Sequence, residues 1–77
     1  DISNNRMLKN LYCSNNKLSS LNITKNWQLR EIDCSDNQIS TLDLNNNKEL
    51  ILLKCKGNFI KNIDLSNNNK LVDVEIN

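Results

Sequence analysis

The sequence predicts a small solenoid of short parallel strands that stack on one another and are joined by tight turns. Cysteine recurs every 21 residues, at Cys13, Cys34 and Cys55. The same interval relates the Leu, Ile and Val residues along the chain, and it also relates many of the asparagines. Self-similarity at a fixed period of about 20–50 residues is the signature of repeat architectures, in which successive units stack.

The repeating unit reads L-x-x-L-x-C-x-x-N-x-L-x-x-L-[ND]-L-x-x-N-x-x, where Leu, Ile or Val occupies the L positions. Every residue at the six apolar positions of the unit is apolar. With 77 residues and 21 per unit, the chain holds about 3.7 coils and forms a single array. The array divides into a half unit 1–7, full units 8–28, 29–49 and 50–70, and a half unit 71–77. Because the chain lacks an initiating Met and a distinct cap sequence, we expect it to be a fragment of a longer protein.

Two alternating stretches in each unit predict short strands. The first stretch is L-x-C, as in Leu11-Tyr12-Cys13, and the second is L-[ND]-L, as in Leu21-Asn22-Ile23. An apolar period of two is typical of a strand with one buried face. A unit of 21 residues is too short for two strands and a crossover helix, and the absence of Ala also disfavours helix. Neighbouring coils should therefore stack as parallel strands about 4.8 Å apart.

Asparagine marks both corners of each coil. One row is Asn16, Asn37 and Asn58, and the other is Asn5, Asn26, Asn47 and Asn68. The amide of Asn can satisfy backbone groups that a tight turn leaves unpaired, and stacked amides can bond along the row. The residues before the first row are Asn15, Asp36 and Gly57, three types that accept positive φ most readily. A similar but less complete signal precedes the second row at Asn4, Lys25, Asn46 and Asn67.

This unit resembles the bacterial 21-residue class of leucine-rich repeat, sometimes called IRREKO, and the likeness covers the whole chain. Spacing, both Asn rows and Cys within the strand all match that class, while Ile76 departs from it by replacing Cys. The resemblance implies a leucine-rich repeat solenoid of the α/β-horseshoe superfamily that is mostly strand and turn. It further implies a bacterial, secreted or cell-surface protein that binds another protein, although a cytoplasmic location stays open. The family has no catalytic residues to carry over.

Composition and charge exclude several classes of function. The chain has no His, which excludes His-based catalysis and His-ligated metals. Its net charge of +1 offers no electrostatic footprint for nucleic acid, and it has no apolar segment long enough for membrane insertion. No nucleophile and base recur together at any position, so we expect a protein that is not an enzyme and needs no cofactor.

The cysteines could in principle bind a metal or form a disulfide. They occupy one inward position of successive coils and have no His or fourth Cys beside them, so core packing is the better interpretation. A row of Asp1, Asn22, Asp43 and Asp64 could similarly hold a hard cation such as Ca²⁺, but satisfaction of neighbouring backbone groups is the favoured interpretation.

The candidate binding residues are those that the repeat does not require. Tyr12, Trp27 and Phe59 occupy positions where other units carry polar residues, and Leu52 is another such exception. Exposed aromatic residues are enriched in binding hot spots, so Tyr12 with Leu52 is the leading candidate surface. Trp27 and Phe59 follow opposite corners and should not join it, and these exceptions could instead cover the edges of a thin core. The outward row that contains Tyr12 continues with Asp33, Lys54 and Glu75, which predicts salt bridges between coils or, less favoured, an electrostatic docking strip.

The sequence thus predicts a non-catalytic protein–protein recognition module with a rigid repeat surface. The alternative is a passive structural spacer in a bacterial surface or secreted protein. The solenoid ends, which lack caps, also predict possible self-association.

Overall fold

A computed structural model describes residues 2–76, and Asp1 and Asn77 lie outside the described residues. It contains four three-residue strands: β1 (Asn10–Tyr12), β2 (Glu31–Asp33), β3 (Leu52–Lys54) and β4 (Asp73–Glu75). They form one parallel sheet in the order β1-β2-β3-β4. The predicted stack of short parallel strands is therefore confirmed. Over residues 2–76 there is no helix that could cross a membrane.

The register of the sheet equals the period of the sequence. Leu11 pairs with Ile32, Ile32 with Leu53, and Leu53 with Val74, so each strand residue lies beside the residue 21 positions away. Parallel strands need long connections, and here the rest of each coil supplies the connection. The same sequence position is thereby stacked from coil to coil.

The core is a narrow column of aligned apolar side chains inside the coils. Its fully buried members come mainly from the second full unit and the first half of the third, because those segments have a coil on each side. They are Ile23, Leu29, Ile32, Cys34, Ile39, Leu44, Leu50 and Leu53, with Cys55 nearly so. The equivalent residues of the first coil, such as Leu8 and Leu11, are half-buried and pack against this core.

The first corner has the predicted backbone conformation. Asn15, Asp36 and Gly57 have φ values of 59°, 57° and 72° respectively. These values lie in the left-handed region, which Asn, Asp and Gly tolerate better than other residues do. A Cβ atom on Gly57 would lie 2.2 Å from Oδ1 of Asp36 and 3.2 Å from its Cα, so the third coil also needs Gly for space.

Two sequence predictions about the other half of the coil are wrong. The stretch L-[ND]-L does not form a second strand, and positive φ does not occur at the described residues of the second corner, such as Lys25 and Asn46. Instead, Asn47 N donates to Leu44 O (3.1 Å) and Leu50 N donates to Asn47 O (3.3 Å), which forms two consecutive turns. The middle residue of the stretch favours turns because its carboxylate or amide competes for backbone N–H groups.

The Asn row of the first corner joins adjacent coils through both ends of its amides. Asn37 Oδ1 accepts from the N–H groups of Asn16 and Leu18, each at 3.1 Å. Asn37 Nδ2 donates to Cys13 O in the preceding coil (3.1 Å) and to Cys34 O in its own coil (2.9 Å). One coil further along, Asn58 Oδ1 accepts from Ile39 N (3.0 Å), and Asn58 Nδ2 donates to Cys34 O and Cys55 O. The row supplies hydrogen bonds where the strand ladder has ended.

The Asn row of the second corner uses only the amide nitrogen. Asn47 Nδ2 donates to Ile23 O (3.1 Å) and Asn26 O (2.9 Å), and Asn26 and Asn68 make the equivalent pair of bonds. The Oδ1 atoms of Asn26, Asn47 and Asn68 are buried and accept no hydrogen bond from the described residues. These amides therefore bridge coils at the cost of burying three unpaired oxygens.

Candidate functional site

The outward residues of the four strands form one surface, called the strand face below. It is built from eight residues in two columns, because side chains of a strand alternate between its two sides. One column is Asn10, Glu31, Leu52 and Asp73, and the other is Tyr12, Asp33, Lys54 and Glu75. All eight are exposed or half-buried, whereas Ile32 and Leu53 between the columns are buried. The face is thus a regular array on a fixed backbone.

Tyr12 lies on the strand face as predicted, with 63% of its surface exposed. Its phenol Oη donates a hydrogen bond to Oε1 of Glu31 on the neighbouring strand. This hydrogen bond to Glu31, more than the desolvation of the phenol, raises the pKa of Tyr12. The aromatic ring is therefore oriented by a contact between coils.

Sequence reasoning missed Glu31 as a member of this surface. Period-two alternation around the buried Ile32 could have identified it, because Glu31 and Asp33 flank that residue in the chain. Glu31 pairs in register with the half-buried Leu52 on β3. The structure consequently brings Tyr12, Glu31 and Leu52 into one contiguous patch, with Glu31 between the two predicted residues.

The strand face is acidic. It carries the four carboxylates of Glu31, Asp33, Asp73 and Glu75 against the single ammonium of Lys54, which gives −4 + 1 = −3. The whole chain has a net charge of +1, so the strand face differs in sign from the rest of the molecule.

The prediction of salt bridges along the column that contains Asp33 and Lys54 is wrong. Between residues 2 and 76 the ion pair that forms is Lys70 Nζ with Glu49 Oε1, at 2.7 Å and away from this face. Asp33 Oδ1 instead accepts from Ser35 N (3.1 Å) and Ser35 Oγ (2.7 Å). The Asp33 carboxylate is therefore hydrogen-bonded within a local turn. The Lys54 ammonium remains available to solvent or to a partner.

Trp27 and Phe59 lie away from the strand face, at opposite corners. Trp27 is 51% exposed, and its indole Nε1 donates to Thr24 O at 3.0 Å. Phe59 is 65% exposed and follows the first Asn row. The structure therefore does not join these two residues to Tyr12, and their exposure makes them poor covers for the core.

The cysteine column lies inside the coil, as core packing predicts. Cys34 and Cys55 are buried, Cys13 is half-buried, and all three thiols are free. Desolvation is the main cause that raises the pKa of each thiol, and it brings the pKa of Cys34 to about 12. A thiol with a raised pKa stays protonated near neutral pH, and the protonated form is neither a nucleophile nor a metal ligand.

The row of Asn22, Asp43 and Asp64 satisfies backbone groups, as the favoured interpretation predicts. Each side-chain Oδ1 accepts from the N–H two residues later, at 3.1, 3.0 and 2.9 Å respectively. Asp1 of the same row lies outside the described residues. Among the residues that the structure describes, no group of three or more Cys, Asp and Glu is placed to hold a metal ion.

The chain is similar in structure to the functional domain of InlJ from Listeria monocytogenes, described as including a cysteine ladder. The TM-score is 0.94 and the sequences are 34% identical. The likeness covers 99% of this chain but only 17% of that chain, so this protein spans about a sixth of its neighbour. No family model matches the sequence, and no curated protein matches it either.

The stacked parallel strands and this likeness together show the fold class. The chain is a leucine-rich repeat solenoid, built mostly from strand and turn.

Proposed function

We propose that this chain is a non-catalytic protein–protein recognition module and that the strand face is its binding surface. The observation that carries the proposal is the patch of Tyr12, Glu31 and Leu52, which the repeat does not require and which the sheet holds in place. Tyr is among the residues enriched at binding hot spots, where an aromatic ring buries much area at little entropic cost.

Rigidity of the backbone supports this proposal. Asn37 and Asn58 tie each coil to the preceding one, and the strand ladder ties the coils together on the adjacent side. A surface that is ordered before binding loses little conformational entropy when a partner docks. The net charge of −3 on the strand face favours partners with a basic surface, mainly through faster association.

We also infer that the chain belongs to the 21-residue class of leucine-rich repeats and comes from a bacterial secreted or cell-surface protein. The 21-residue strand register and the resemblance of the unit support the class. The similarity to a Listeria protein supports the bacterial origin. We also propose that the chain self-associates, with edge strand β1 of one molecule pairing with edge strand β4 of another. Sedimentation velocity measures this self-association.

The test is site-specific photo-crosslinking with a photoreactive amino acid. It replaces Asp33 on the strand face in one variant and Lys61 on another face in the second variant. We expect a discrete crosslinked partner from Asp33 only. The double variant Tyr12→Ser, Leu52→Ser should abolish capture of that partner while retaining the thermal unfolding curve. Phe59→Ser is the matched control, because it also removes an exposed apolar residue but lies off the strand face.

Two results would instead support the alternative function, a passive structural spacer. If the double variant folds normally and captures the partner as well as the unmodified chain does, the strand face is not the binding surface. If no discrete crosslink forms from Asp33, the passive structural role is the better description of this segment.

A further inference from the structure

A shallow groove of 330 Å³ lies beside Trp27 and is lined by Trp27, Asn46, Lys48 and Glu49. We propose that this groove is a second binding site, distinct from the strand face, and that it binds the pyranose ring of an acidic sugar, a hexuronic acid unit of a glycan. Its volume lies at the lower end of the range of roughly 300–1,000 Å³ that is usual for small-ligand sites.

The indole of Trp27 is held in a fixed position. Its Nε1 donates to Thr24 O at 3.0 Å, and the amide nitrogen of Asn46 donates to the same carbonyl oxygen at 2.9 Å. Two donors on one carbonyl place the indole and the Asn46 amide side by side. Because the polar atom of the indole is already bonded, the flat ring is the part that a ligand can contact.

The repeat does not explain this tryptophan. The equivalent position in other units carries Arg6, Lys48 and Asn69, all of them polar. With 51% of its surface exposed, Trp27 contributes little to the buried core. Trp27 is therefore not needed for the repeat or the core, and its exposed ring is available to a ligand.

One face of the indole is already occupied. The Arg6 guanidinium lies 5.8 Å from the ring centroid, in cation–π contact. Arg6 belongs to the preceding coil, whereas Asn46, Lys48 and Glu49 belong to the following coil, so the groove opens at the other face. Arg6 and Lys48 also make the surroundings positive, which disfavours a cationic ligand such as a quaternary ammonium group.

A pyranose matches the chemistry of this groove. Its ring has an apolar C–H face that suits the negative face of an indole, and a rim of hydroxyl groups. Around Trp27, Asn46 Oδ1 makes no hydrogen bond within residues 2–76 and can accept from a hydroxyl. Glu49 is bonded to Lys70 through Oε1, so its other oxygen is a second acceptor.

Lys48 selects for a carboxylate on the sugar. Its ammonium forms no ion pair and no hydrogen bond within the described part of the chain, residues 2–76. Glu49, the carboxylate that lines the groove, is already neutralised by Lys70 at 2.7 Å, and this contact lowers the pKa of Glu49. A ligand carboxylate can therefore approach Lys48 without facing an unpaired negative charge.

The experiment uses the fluorescence of Trp27, which is the one tryptophan of the chain. Digalacturonic acid is titrated into the folded protein, and galactobiose serves as the uncharged counterpart. We expect a saturable change in fluorescence with the acidic disaccharide. The neutral disaccharide should bind about tenfold more weakly, because it cannot form the charge-assisted hydrogen bond to Lys48. Lys48→Met should remove this preference and leave galactobiose binding unchanged.

Ligand-observed saturation-transfer NMR tests the contribution of the ring. Trp27→Ala should abolish transfer to both sugars, while Phe59→Ser, an exposed aromatic at the opposite corner, should retain it. No saturable binding of either sugar would overturn the proposal. Equal binding of the two sugars by the unmodified chain, or transfer that survives Trp27→Ala, would overturn it as well. If Trp27→Ala fails to fold, the Lys48→Met titration still decides between these outcomes.

Discussion

Replacement of Asn37 by Ala should cause one of the largest stability losses available from a single polar residue in this chain. Asn37 is 5% exposed and makes five hydrogen-bonding contacts through one amide. Its oxygen accepts from two N–H groups and its nitrogen contacts three carbonyl groups. The partners are Asn16 N, Leu18 N, Cys13 O, Cys34 O and Ser35 O.

The magnitude follows from these five contacts. The amide nitrogen has two hydrogens for its three carbonyl contacts, so at most four full hydrogen bonds count, and about 0.5–1.5 kcal/mol for each gives an upper sum of roughly 2–6 kcal/mol. The bonds share one side chain, and water can reach some partners at the rim of the corner, so we expect a loss of about 3–5 kcal/mol. A chain of this length has a total stability of roughly 4–12 kcal/mol, so this loss removes between about a quarter of it and nearly all of it.

Asn16→Ala is the matched control at the same position of the preceding coil. Asn16 is exposed, and its amide nitrogen donates to Cys13 O (2.8 Å) and Ser14 O (3.2 Å) within its own coil. Cys13 O keeps the hydrogen bond from Asn37 Nδ2 and Ser14 O can be hydrated, so we expect a loss of only about 0.5–1.5 kcal/mol.

Urea unfolding, followed by Trp27 fluorescence and far-ultraviolet circular dichroism, measures both variants. The midpoint should fall while the slope stays constant, because the area exposed on unfolding is unchanged. If Asn37→Ala loses no more stability than Asn16→Ala, the amide does not bridge the coils energetically and the reasoning from the hydrogen bonds is refuted.

Four further outcomes are expected. Gly57→Ala should cost about 1–2 kcal/mol in urea unfolding, because Ala disfavours the positive φ and its Cβ would contact Asp36; an unchanged midpoint would contradict this. The pKa of Tyr12, read from phenolate absorbance, should lie above 10.0 and return toward it in Glu31→Gln, and a shift that persists in that variant would have another cause. Cys13 should react with iodoacetamide faster than Cys34 in the folded protein, since it is only half-buried; equal rates would argue against the buried column. Because the Cys34 pKa is raised from 9.0 to about 12, its contribution to stability is complete below pH 9 and should be lost as the pH rises toward 12, which unfolding at stepped pH measures.

Much of the fold could be predicted because the sequence repeats. Stacking places each residue beside its equivalents, so one inward position, such as Cys34 or Ile32, predicts the whole column. Positive φ at Gly57 was predictable for a local reason, the tolerance of that residue type for a left-handed turn. Alternation wrongly predicted a second strand, because Asp43 uses its carboxylate to form a turn that competes with strand pairing.

The candidate sites were only partly predictable. Exposed exceptions to the repeat identified Tyr12, Leu52 and Trp27, since a residue that the core does not need stands out against the pattern. Their partners did not stand out, because Glu31 and Asn46 are ordinary polar residues at outward positions. Contacts such as the hydrogen bond of Tyr12 to Glu31 depend on side-chain directions across coils.

By itself the sequence determined the period, the inward and outward positions and the first corner, because these depend on residue type at a fixed interval. Only the tertiary structure decided which polar atoms find partners. It directed Asp33 to Ser35 rather than to Lys54 and placed Trp27 between Arg6 and a groove. Several partners compete for each polar group within hydrogen-bonding distance, and that competition is settled by geometry that sequence spacing does not encode.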